Sequence, residues 1–80
     1  MPYIPKKRRK EIKRPVCEIH NAGELNNVLT LMILDYLPAE PRYQDYNDVM
    51  GVLTCMQLEL YRRLVAPYED RKRIENGDVF

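Results

Sequence analysis

The sequence predicts an all-α fold: two long antiparallel helices, at about 22–37 and 45–65, with short flanking helices, assembling as a homo-oligomer. Three observations predict it. Apolar residues recur at three- and four-residue spacing over two long stretches, as one face of a helix requires. Prolines fall around those stretches rather than inside them, where they would break a helix. Local signals mark helix ends: Asn21 followed by Glu24 resembles a capping box, and Asn76-Gly77 supplies a left-handed closing residue.

In order along the chain, Lys6 to Arg14 is a short, strongly basic candidate helix, with Pro5 suited to its first turn. Its seven cations repel one another, so the segment becomes ordered only against an anionic partner or the acidic body. The first long helix follows Asn21. Leu25, Val28, Leu29, Met32, Ile33, Tyr36 and Leu37 keep helical spacing, and Leu31 and Leu34 fill the other side. A helix apolar nearly all round is covered on more than one side. Pro38 and Pro41 bracket the loop that ends it. The second long helix starts near Asp45 and carries Tyr46, Val49, Met50, Leu53, Met56 or Gln57, Leu60, Tyr61 and Leu64 as its main stripe. Val52, Cys55 and Leu58 form a second stripe. Gly51 within it implies the close approach of another helix. Pro67 stops or kinks it, and a third, short helix runs from Pro67 to Glu75 with Glu69 and Asp70 in its first turn.

Both long helices have apolar residues well beyond the one face a hairpin can cover, and the flanking segments are too polar to cover the rest. Self-association follows as the expectation, with closed symmetry. Eighty residues allow a single domain, 1–80, divided into a basic arm (1–14) and a helical body (15–80). The formal net charge of +1 hides a split. Residues 1–14 hold seven basic residues and one acidic, for +6, and residues 15–80 hold six basic and eleven acidic, for −5. With 45% apolar and 31% charged residues the composition is that of a globular chain, not a disordered one. No run of apolar residues is long enough to span a membrane, and the basic N-terminus is not followed by the apolar stretch of a secretory signal. Cys17 and Cys55 are two distant cysteines with no C-x-x-C, which points to free thiols in a reducing, cytoplasmic setting. A single disulfide between them is the alternative.

Catalytic chemistry finds little support. His20 lies near Cys17 and Glu18, and a Cys–His pair three apart on a helix makes an activated thiolate, but no third group or oxyanion donor accompanies it. No Gly-rich phosphate loop is present. Glu69, Asp70, Glu75 and Asp78 could gather around a divalent cation, although partners for helix dipoles and solvated charges explain them as well. The expectation is a protein that is not an enzyme, with no catalytic residue, no metal ligand and no cofactor. Anion binding is better signed. Tyr61, Arg62 and Arg63 end a long helix, and Tyr68, Arg71, Lys72 and Arg73 follow the proline. Arg matches phosphate with a planar fork, Tyr offers a stacking face, and the Asn26 and Asn27 amides both donate and accept. The expected ligand-binding residues are Tyr3, Arg8, Arg9, Asn26, Tyr61, Arg62, Tyr68, Lys72 and Arg73. Pairing of the arginines with neighbouring acids is the competing explanation.

Five strings carry a resemblance: Met1-Pro2-Tyr3-Ile4-Pro5 before the basic run, Gly23-Glu24-Leu25-Asn26, Tyr61-Arg62-Arg63, Ala66-Pro67-Tyr68-Glu69-Asp70, and Glu75-Asn76-Gly77-Asp78-Val79-Phe80. Together, over nearly the whole chain, they resemble a family of short bacterial and phage proteins with no established activity. The resemblance implies a phage-associated origin and a helical fold. By analogy with small helical phage proteins that trap nucleotide immune signals, it also suggests a sponge-type counter-defence protein. The expected function is therefore an oligomeric, non-enzymatic binder of a small anion, such as a cyclic or ADP-ribose-type nucleotide. A helical adaptor for a host or phage protein is the first alternative. A nucleic-acid accessory protein using the basic arm is the second.

Overall fold

The computed structural model describes residues 4–13 and 17–80, and they are helical, with no strand among them. The fold class is thus all-α. Pro2–Val49 and Met50–Phe80 form two compact units, with the division falling inside a helix, and each is described by itself.

In the first unit, α1 is Lys6–Glu11. Pro5 sits just before it rather than in its first turn, and the Pro5 carbonyl accepts from the Arg9 N–H at 3.0 Å. The helix ends sooner than the expected Arg14: Ile12 is already extended, at φ −82° and ψ 120°. With no acid in its first turn and a crowd of cations, α1 has little to extend it. Arg14 and Pro15 lie outside the described residues.

The second helix, α2, is Ala22–Tyr36. Asn21 caps it, its side-chain oxygen accepting from the Glu24 N–H at 2.9 Å. Glu24 reaches back to the His20 N–H at 3.2 Å and also accepts from the Asn21 amide at 2.7 Å, so the expected box forms with its return bond one residue further out. Leu37, expected inside the helix, is extended because Pro38 disfavours the α conformation at the residue before it. After the loop at 37–42 comes α3, Tyr43–Leu60. It begins two residues earlier than expected. The Asp45 carboxylate accepts from the Arg42 N–H at 2.9 Å, which places Asp45 in the first turn rather than before it. Val28, Leu29 and Ile33 on α2, Leu37 and Pro41 in the loop, and Asp45 and Val49 on α3 are the half-buried residues of this unit.

In the second unit the chain is helical without interruption from Met50 to Asn76. Pro67 was expected to stop or kink the helix. It does not stop it: the backbone widens into a π turn, Tyr61–Val65, and runs directly into α4, Ala66–Asn76. The Ala66 N–H bonds the Tyr61 carbonyl, a five-residue step. Pro67 has no N–H, and its ring would crowd the Arg63 carbonyl in a regular α-helix; a wider turn relieves both problems without breaking the helix. Gly77 closes α4 at φ 88°, with its N–H on the Arg73 carbonyl at 2.8 Å, as Asn76-Gly77 led us to expect. Gly51 departs from expectation. A Cβ built there meets nothing within 4 Å, so the space a side chain would fill is open. Leu53, Cys55, Met56, Glu59 and Ala66 are half-buried here.

No described residue is fully buried, and large apolar side chains stay exposed on α2, α3 and α4. Among the described residues no helix is long and apolar enough to cross a membrane. Cys17 and Cys55 are both free thiols.

Candidate functional site

The π turn organises the richest polar cluster of the second unit. Glu59, one turn before it, accepts from Arg63 Nε at 2.8 Å and from Arg62 at 3.0 Å through one carboxylate oxygen, and from Arg62 again at 3.2 Å through the other. The side chain of Glu59 is only 29% exposed, whereas both arginines project into solvent. Hydrogen bonds from Arg63, then Arg62, hold the Glu59 carboxyl below its usual range, outweighing the opposing effect of desolvation. Tyr61 OH donates to Glu69 at 3.1 Å, eight residues on. That bond, followed by the negative charge of Glu69, raises the Tyr61 phenol pKa.

Beyond Pro67, the Tyr68 ring is flanked by two cations, with Arg71 at 5.9 Å and Lys72 at 5.7 Å from its centroid. Lys72 also pairs with Glu75 at 3.2 Å. Arg73 lies 3.7 Å from both Asp70 and Asp78. The structure therefore places Tyr61, Arg62, Tyr68, Lys72 and Arg73 in one unit, and each charged member is already engaged by a carboxylate of the same unit. The four acids weighed for a cation are spent in the same way, on Tyr61, Lys72 and Arg73. No group of three His, Cys, Asp or Glu side chains is placed to hold a metal ion among the described residues.

The remaining expected residues belong to the first unit or lie outside the described residues. Arg8 pairs with Glu11 at 3.1 Å, and Arg9 donates to the Ile4 carbonyl at 3.3 Å. Lys6, Lys7, Lys10 and Lys13 make no ion pair among the described residues. Asn26 is exposed on α2, and its backbone carbonyl accepts from Thr30 Oγ1 at 2.7 Å. Tyr3 lies outside the described residues. Cys17 and His20 are not on a helix, contrary to the geometry considered for a thiolate pair. His20 instead lies 3.6 Å from Glu18.

Two pairings escaped the sequence reading. Glu59 was legible in principle, since acids three and four residues before an arginine share its face of a helix. Glu69 as the partner of Tyr61 was not, because an eight-residue reach takes the local geometry set up at Pro67. A family model described as a domain of unknown function, DUF6899, matches residues 1–79. No curated protein and no solved structure matches the chain.

Proposed function

The chain belongs to the DUF6899 family, which brings no activity with it, and from its own residues we propose that it is a subunit of a homo-oligomer that binds and sequesters a small anion, a nucleotide foremost. The observation that carries the reading is the state of α1. This six-residue helix holds five consecutive cations, and among the described residues only Arg8 of these has a carboxylate partner. A helix that short is not stable by itself, and like charges oppose it further. A phosphate-bearing ligand would relieve the repulsion and tie the arm down. In the second unit, the carboxylates now holding Arg62, Lys72 and Arg73 do not preclude a phosphate. Exposed ion pairs contribute roughly 0–1 kcal/mol, so a better-matched anion can replace them. Tyr68 would then stack on a base beside Arg71 and Lys72. Sequestration needs no bond made or broken, only tight binding.

Two long helices packed antiparallel, with their outer apolar faces covered by other copies, form the assembly in this proposal. The absence of any fully buried described residue supports it. Native mass spectrometry and thermal shift against cyclic and linear nucleotides, including ADP-ribose-type compounds, provide the test. A ligand at one hundred times its Kd stabilises the native state by about 2.7 kcal/mol. If no nucleotide raises the melting temperature, the ligand part of the proposal fails. A second reading, an adaptor for another protein, is favoured by Ile74, Val79 and Phe80, which are exposed almost completely at the end of the chain. A stable protein partner in a pull-down, with no small molecule retained, would favour that reading. The sponge role and phage origin belong to the same proposal. Protection of a phage from a nucleotide-signalling defence, lost on charge reversal at Arg8 and Arg9, would test them.

A further inference from the structure

Neighbouring residues of a helix do not face each other. Arg62 and Arg63 nevertheless converge at their ends. Arg63 Nε at 2.8 Å and Arg62 Nη2 at 3.0 Å donate to the same oxygen of Glu59. A further bond from Arg62, at 3.2 Å, takes the other oxygen. Both arginine side chains are largely in solvent, at 69% and 67% exposed, so a second anion can reach them. Guanidinium forks closing on paired oxygens are also how arginine receives a phosphate. The charges do not match. One carboxylate brings a single negative charge to two guanidinia, and the trio sums to +1.

We infer that Arg62 and Arg63 form a binding site for a phosphate monoester, with Glu59 as its built-in competitor. The inference rests on the proposal that the chain binds an anion, and it names the group that the second unit takes. A monoester carries about −1.5 to −2 charge at pH 7 and three acceptor oxygens, enough to balance both arginines. A phosphodiester, as in a cyclic nucleotide, carries one negative charge and only equals the carboxylate it must displace. Glu59 also has the advantage of attachment, because a group tethered by a short segment competes at an effective concentration on the order of millimolar. It lowers the affinity of every anion by the same factor. Only an anion that gains most from two guanidinia is then held. Arg63 was not among the expected ligand-binding residues, and the oxygen of Glu59 that it shares with Arg62 is what adds it. The site lies within one unit and needs no contact with the arm.

The test follows the arginine Nε–H NMR signals of the full chain at constant ionic strength. The probes are inorganic phosphate, adenosine monophosphate and cyclic adenosine monophosphate. The first two are expected to shift Arg62 and Arg63, with the cyclic compound roughly fivefold weaker, the worth of one further charge at contact distance in water. Glu59→Gln is expected to tighten all three by up to about fivefold, the range of an exposed ion pair. Glu75→Gln makes the same charge change in the same unit but releases Lys72 instead, and is expected to move the affinity read at Arg62 and Arg63 far less. Glu59→Asp keeps the charge on a shorter stem and should fall between wild type and Gln; if Glu59→Gln loses its helical circular dichroism, the Asp variant decides. Equal binding of the cyclic and open monophosphates overturns the monoester assignment. Unchanged affinity in the Glu59 variants, or an equal gain in Glu75→Gln, overturns the competitor. Nucleotide stabilisation of the wild type with Arg62 and Arg63 unmoved overturns this site and leaves sequestration standing. Phosphate binding at the two arginines with no nucleotide raising the melting temperature supports the site and overturns sequestration.

Discussion

Glu59, in the last turn of α3, is the residue that holds the two arginines of the π turn, because it engages both Arg62 and Arg63 and is itself partly covered. Its pKa is lowered in the folded chain, so its contribution is present above the unfolded carboxylate value and is lost as the pH falls through the folded one. Carboxyl NMR titration is expected to show Glu59 ionising below an ordinary glutamate, and Arg63→Gln to move it back up; an unmoved Glu59 would refute the pairing. Tyr61 has the opposite sign. Its raised pKa gives stability that is fully present below the ordinary phenol value of about 10 and lost as the pH rises through the folded value. Ultraviolet titration should find a late phenol for Tyr61 that Glu69→Gln abolishes. The glycines divide in the same way by environment. Gly51→Ala should raise stability by about 1 kcal/mol, since the site is open and lies inside a helix. Gly77→Ala should lower it by roughly 1 kcal/mol or more, since φ 88° with ψ 165° is a glycine conformation. Urea unfolding measures both. The reading of Gly51 as a close-packing glycine erred because sequence records the missing side chain but not whether anything occupies the space.

At the scale of elements, helix ends were the most legible feature. The Asn21–Glu24 cap and the Gly77 closure depend on bonds between residues a few positions apart, so short-range sequence patterns encode them. Asn21→Ala should therefore cost about 1 kcal/mol in urea unfolding; no change would mean that Glu24 alone suffices. At Pro67 the sequence left a stop and a distortion both open. The missing N–H was plain, but a break and a widened turn satisfy the same local constraint, and the choice depends on what else the widened turn permits. Here it accompanies the bond from Tyr61 to Glu69. Pro67→Ala is expected to restore regular α-helix over 61–65, visible in hydrogen exchange as protection of the backbone amide the substitution introduces, and to return the Tyr61 phenol toward its ordinary value. Retention of the late phenol would show that the tyrosine bond does not need the π turn.

For the molecule as a whole, the arm and the apolar faces set the expectations. Charge reversal at Lys6, Lys7 and Lys10 should abolish any nucleotide-induced thermal shift while leaving the sedimentation coefficient of the assembly unchanged. Loss of assembly together with binding would instead make the arm a contact between copies. Mixed-sequence DNA binding that falls steeply with salt would move the arm to nucleic acid. By itself the sequence determined the all-α class, where the two long helices start, the Asn21 cap and the Gly77 closure, and the surplus of apolar side chains. Each of these follows from periodicity or from bonds between near neighbours. Only the three-dimensional structure decided that the helix passes Pro67 through a π turn, that nothing fills the space at Gly51, and that carboxylates already hold Arg62, Lys72 and Arg73 of the C-terminal cluster. Those outcomes depend on which side chains meet across a turn, and distances of that kind are set by how the backbone folds in space rather than by the order of residues along it.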